Sequence, residues 1–217
     1  MQRKEKIHRI TNLIPLIGIT IFVGLYIFSA SLYPGGSQAN LKSEGFDWID
    51  NYWCNLMNQN GMNGEPNPAK PFSIFALSIL CISLMVFFIR FARTYPKSKL
   101  WMQIISTCGV ISMSSAILIF TPYHDLMTLV SSFFGLFVVA GIVKEIYRSN
   151  LTPYKIGGAA CVILLGLNNY IYYSRQGIEL LPFLQKITLI MVLIWIIGLN
   201  YEMNKKSNPA KTMPAQS

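Results

Sequence analysis

His124 and Asp125, with Thr128 one helical turn further on, stand with Asn168, Asn169 and Lys186 as polar side chains embedded in long apolar runs. An imidazole beside a carboxylate is the material of general acid–base chemistry. Amides and an ammonium at depth can hold an anionic or hydroxylated group. Asn168 and Lys186 each lie about 10 Å inside the ends of their runs at 1.5 Å per residue. Polar groups so deep are costly against lipid and face a bundle interior or a wet cavity. A second polar set, Asp47, Asp50 and Asn51, falls in the segment 33–71, which holds four of the nine acidic residues and two of the four tryptophans. If the two sets meet, they form an outward-open polar pocket lined by the fourth, fifth and sixth apolar runs and roofed by the acidic segment. Each residue also has a structural use. Asp47 and Asp50 can stabilise a helix dipole, Lys186 can snorkel outward, and Asn168 can make an interhelical hydrogen bond. His124 and Asp125 are adjacent, so on a helix they do not face each other; a partner for His124 is expected from Asp47, Asp50 or another helix.

The elements that must position these residues follow from composition. Of 217 residues, 53% are hydrophobic and only 12% charged, and the apolar ones cluster in runs of about twenty, the length needed to cross the hydrocarbon core as helix. Backbone groups in lipid must be satisfied within the segment, and the runs are too long and too uniformly apolar for barrel strands. The pattern predicts an all-α, polytopic membrane protein of six transmembrane helices in a single domain, with spans near 10–33, 71–92, 100–121, 126–147, 154–173 and 181–201 and an outer loop at 34–70. The first run exceeds the apolar length of a signal peptide and five more follow, so it reads as a retained helix.

The net charge of +9 reflects topology, and no nucleic acid is expected as a partner. Fourteen of the 18 basic residues fall in four groups: Arg3, Lys4, Lys6 and Arg9; Arg90, Arg93, Lys97 and Lys99; Lys144, Arg148 and Lys155; and Lys205, Lys206 and Lys211. All four groups lie on one side of the predicted bundle, which the positive-inside rule makes cytoplasmic, together with both termini. Six of the nine acids lie on the other side. Of the cysteines only Cys54 is in an outer segment, so no outer disulfide within the chain is indicated.

Within the outer loop Phe46, Ile49, Trp53 and Leu56 recur at spacings of three and four, opposite Asp47, Asp50, Asn51, Cys54 and Asn58. This predicts a short amphipathic interfacial helix from about Ser43 to Asn60-Gly61. Ser106, Thr107, Ser112, Ser114 and Ser115 in the third span, Ser131 and Gly135 in the fourth, and Gly157-Gly158 in the fifth suit close helix packing. No Gly-x-Ser-x-Gly elbow, phosphate-cradling glycine loop or Cys-x-x-Cys is present. With His8 and His124 as the two histidines, on opposite sides, a three-histidine metal site cannot be built; no metal and no cofactor is expected.

At Tyr33-Pro34-Gly35-Gly36, Asn51-Tyr52-Trp53-Cys54-Asn55-Leu56-Met57 and Asn67-Pro68-Ala69 the chain resembles the prokaryotic domain-of-unknown-function 998 membrane family. The resemblance implies a six-helix layout and an important first outer loop, and carries no activity. Cys54-Asn55 stands where that family often has Ser-Asp. The reading is an integral protein of a bacterial cytoplasmic membrane whose partners are membrane lipids. It binds a lipid or small amphiphile in an outer-leaflet pocket drawn from Asp47, Asp50, Asn51, His124, Asp125, Asn168 and Lys186. The alternatives are a small-molecule transporter, or a lipid-modifying enzyme with His124 as general base.

Overall fold

The structure, a computed structural model, describes residues 2–207, with side chains from Thr11 onward. The side chains of Arg3, Lys4, Lys6, His8 and Arg9, and the whole of Lys211, lie outside the described residues. Six helices follow one another: α1 (Gln2–Ser31), α2 (Lys70–Thr94), α3 (Lys99–Ile117), α4 (His124–Tyr147), α5 (Thr152–Ser174) and α6 (Leu181–Ser207). Each is long and apolar enough to span a membrane, and each lies within a few residues of the predicted span except that α1 begins eight residues before position 10 and α6 runs on past Tyr201. Proline in the first turn of α2 and of α5 is placed where a missing N–H costs nothing.

Successive helices alternate direction, so the bundle has one end carrying the 32–69 loop and an opposite end carrying the described ends of α1 and α6. We call these the loop end and the terminal end. α1, α2, α3 and α4 pack in series, α6 returns onto α1 and α2, and α4 and α5 form the most loosely packed consecutive pair. The core of Phe22, Tyr26, Phe87, Phe91 and Leu199 sits between α1, α2 and α6. The approach of α1 to α2 is set by Gly18, where any side chain would collide with Ser83. α4 and α5 are peripheral: 17% of each spanning window is buried, against 39% in α1 and α6 and 44% in α2.

The loop departs from the predicted amphipathic helix over 43–60. Its helical part is one 3-10 turn, Trp53–Met57, in a segment otherwise built of turns and two isolated bridges, Gly35 with Glu44 and Asn60 with Pro66. Side chains here take the backbone groups that a helix would use. Asp47 Oδ1 accepts the N–H groups of Ile49 and Asp50 at 2.8 and 3.0 Å, and Asn51 Oδ1 accepts that of Asp47 at 2.8 Å. Asn67 Nδ2 donates to the carbonyls of Asn55, Leu56 and Asn58. Gly36, at φ +82°, packs so tightly against Met62 and Asn63 that no side chain fits there. The predicted apolar stripe is accordingly split, with Leu56 fully buried and Ile49 61% exposed.

At the terminal end the structure contains a cluster that sequence reasoning missed. α2 continues past the predicted boundary, and Arg90 turns inward instead of joining a loop. Its guanidinium donates to Asn12 Oδ1 at 2.6 Å on α1 and to Asn200 Oδ1 and Asn204 Oδ1 at 2.6 and 2.8 Å on α6. Asn200 Nδ2 closes the cluster on the Asn12 carbonyl at 3.1 Å. Three helices are thus tied by one cation whose partners are neutral amides. The Arg90→Leu variant strands three amide oxygens, and is expected to lose about 3 kcal/mol of stability. Thermal unfolding of the detergent-purified protein reads this loss; an unchanged midpoint would mean the cluster ties nothing.

Candidate functional site

Lys186, on the second turn of α6, points inward and is 7% exposed. Its ammonium donates to the carbonyls of Asn51 at 2.5 Å and Pro182 at 3.1 Å, and lies 5.7 Å from the Phe46 ring and 6.0 Å from that of Trp53, the outer reach of a cation–π contact. No carboxylate lies within ion-pair distance of it among the described residues. Asn51 is itself fully buried, its Nδ2 donating to the Gly36 carbonyl at 2.8 Å. Tyr26 Oη on α1 donates to the Trp53 carbonyl at 2.9 Å, and Ser73 Oγ on α2 to that of Leu56 at 2.8 Å. The loop is therefore pinned onto α1, α2 and α6. Of the residues singled out in the sequence, Asp47, Asp50, Asn51 and Lys186 gather here, with the Asp47 carboxylate accepting the N–H groups of Ile49 and Asp50. Burial pushes the Cys54 thiol up.

His124 and Asp125 lie elsewhere, at the loop end of α4. Contrary to expectation they do meet: His124 Nδ1 and Asp125 Oδ1 are 3.1 Å apart. His124 is the first residue of α4, where the helix geometry that separates neighbouring side chains is not yet in force. The pair is open, with side chains 41% and 91% exposed.

Asp125 borders a cleft of about 380 Å3 between α4 and α5, lined also by Leu126, Thr128, Leu129, Tyr172, Tyr173 and Arg175. Arg175 caps α5 in the left-handed region at φ 62°, a conformation that glycine adopts at less cost. Its guanidinium carbon stands 5.2 Å from the Tyr172 ring, and it has no ion pair among the described residues. Thr128 Oγ1, on the wall formed by α4, is buried and unpartnered. Leu126 and Leu129 are half exposed and carry the apolar surface of the outside of the bundle into the cleft mouth. The loop reaches the same corner through Tyr52, whose Oη donates to the Ile178 carbonyl at 3.4 Å. Burial pushes the Tyr52 phenol up, Cys54 adds to this, and the Arg175 guanidinium opposes it.

Asn168, one turn below Tyr172 on α5, does make an interhelical hydrogen bond, its Nδ2 donating to Thr188 Oγ1 on α6 at 2.6 Å. Its Oδ1 is buried without a partner. The predicted constellation is thus two groups, one consolidating the loop and one at the α4–α5 cleft. Arg175, Tyr172 and Tyr173 were missed because Arg175 marks the end of an apolar run and tyrosines are ordinary at a membrane boundary. The available signal was a cation at a helix C-cap two residues before Gly177.

Fold and site together define a multi-pass membrane protein with an internally braced α1–α2–α6 frame and an open polar cleft at its periphery. No family model matches the chain, and no curated protein or solved structure matches it.

Removing the ammonium in Lys186→Met leaves the buried Asn51 carbonyl without its donor, at about 1–3 kcal/mol if it stays dry, while the Pro182 carbonyl keeps the helical N–H of residue 186, so the loop loosens before the bundle does. Cys54 in the wild type, with its thiol pushed up by burial, is expected to react slowly with a thiol reagent at pH 8, and the variant to label several-fold faster. Equal rates would contradict the pinning role.

Proposed function

We propose that this chain is a bacterial cytoplasmic membrane protein, with both termini cytoplasmic and the 32–69 loop outside, that binds a lipid or small amphiphile in the α4–α5 cleft. The resemblance to the domain-of-unknown-function 998 family belongs to this reading and adds no activity to it. The observation that carries the proposal is the pairing, across the least tightly packed consecutive helices, of a guanidinium with no ion pair and a buried hydroxyl with no partner among the described residues, beneath a leucine-lined mouth. An amphiphile has the complementary build. Its anionic headgroup suits the fork of Arg175, a headgroup oxygen suits Thr128, and its apolar part continues along Leu126 and Leu129. Two other charged groups of the predicted pocket, Lys186 and Asp47, contribute at one remove, by holding the loop whose Tyr52 phenol feels the Arg175 charge.

The His124–Asp125 contact favours a second reading, a lipid-modifying enzyme with His124 as general base at the cleft mouth. Conversion of a defined lipid by the wild type and its loss in His124→Ala would establish that reading.

Native mass spectrometry of the detergent-purified protein tests the binding proposal. The wild type is expected to carry a discrete extra mass that an Arg175→Gln, Thr128→Val variant of unchanged thermal stability has lost at least tenfold. The same adduct on both proteins would refute the site. Orientation is tested separately: a membrane-impermeant thiol reagent is expected to label a Gln59→Cys variant in intact cells, and labelling only after lysis would reverse the topology.

A further inference from the structure

We propose a second lipid site, independent of the α4–α5 cleft, in the groove between α2 and α3 at the terminal end, and that its occupant is an anionic phospholipid. The last turns of α2 carry two arginines with opposite fates. Arg90 faces inward and spends its donors on Asn12, Asn200 and Asn204. Arg93, three residues on and about 60° away round the helix, is turned to the α3 side, is exposed, and has no hydrogen-bonding or ionic partner among the described residues. It forms the polar end of a groove of about 450 Å3 whose walls are chiefly apolar, from Ile89 and Ala92 on α2 to Met102, Val110 and Ile111 on α3. The Thr107 hydroxyl also lines the groove.

The charge is at one end, and the floor along α3 runs from Met102 to Ile111, about 14 Å of helix, with the Ser106 and Thr107 hydroxyls between Met102 and the apolar pair Val110 and Ile111. A free phosphate would leave that floor uncovered, and a bare hydrocarbon would leave Arg93 without a counter-charge. A phospholipid covers both, with phosphate on the guanidinium and one acyl chain along Val110 and Ile111. Lys97 and Lys99, in the turn after α2 and at the start of α3, add positive charge beside Arg93, which selects a net anionic headgroup over a zwitterionic one. Because α2 and α3 run antiparallel with Arg93 at the terminal end, this lipid comes from the leaflet opposite to the one reached by the α4–α5 cleft.

The experiment is native mass spectrometry of the full chain in detergent, titrated with an equimolar mixture of phosphatidylglycerol and phosphatidylcholine. It is run in the Arg175→Gln, Thr128→Val background so that the cleft does not contribute. Phosphatidylglycerol is expected to be retained over phosphatidylcholine by about tenfold. Arg93→Gln should abolish that preference. Val110→Trp, which fills the groove and leaves every charge in place, should lower retention of both lipids. Equal retention of the two lipids by the parent, or unchanged phosphatidylglycerol retention in both Arg93→Gln and Val110→Trp with unfolding midpoints preserved, would overturn the site. A lipid-free dimer lost in Val110→Trp would also overturn it, assigning the groove to a second copy of the chain.

Discussion

A polar group inside a membrane must find its partner within the protein, and the cost of failing to do so organises this structure. α6 shows the constraint at both of its ends. Lys186 gives its charge to two backbone carbonyls beneath the loop, and fourteen residues further on, about 21 Å along the helix, Asn200 helps to ligate Arg90. Between them the helix is packed into a dry core with Phe22, Phe87 and Phe91. Each end is closed by a cation whose partners are neutral oxygens, and among the described residues the frame of α1, α2 and α6 has no buried ion pair.

The same constraint is unmet elsewhere. Of the buried side-chain polar atoms lacking a partner among the described residues, one is Trp53 Nε1 in the loop, and the other three, on Thr128, Glu145 and Asn168, belong to α4 and α5. These are also the helices with the least buried surface. Native proteins rarely leave such atoms unsatisfied, and Arg175 at the loop end of the same pair makes no ion pair among the described residues, although Asp125 lines the same cleft. A molecule entering from the lipid and bringing its own oxygens to Arg175 and Thr128 would repair the cleft at the place where the protein itself is least complete.

How far the sequence could be read depended on which force decides each element. The six spans were legible because a membrane fixes the length of an apolar run, and Lys186 and Asn168 were legible as deep polar groups because any such group stands out. The loop was not, because the spacing of Phe46, Ile49, Trp53 and Leu56 suggests a helix while Asp47, Asn51 and Asn67 spend their side chains on the backbone and overrule it. Arg90 was hidden by the company of Arg93, Lys97 and Lys99: a basic residue near a span end reads as a topological signal, and its three asparagine partners are 78, 110 and 114 residues away. Arg175 was hidden in the same way, as the stop of a run. His124 and Asp125 were placed correctly at the start of α4, but their contact depends on the first residue of a helix escaping the geometry of its interior.

The central claim is that α4 and α5 hold an amphiphile by its headgroup, and the most direct test is an experimental structure of the protein in lipid nanodiscs at a resolution that shows side chains and lipids. The account predicts headgroup density between the two helices within hydrogen-bond distance of the Arg175 guanidinium and Thr128 Oγ1, with apolar density running past Leu126 and Leu129. A cleft closed by direct contact of α4 with α5, with Arg175 paired to a protein carboxylate and Thr128 bonded within the chain, would contradict it.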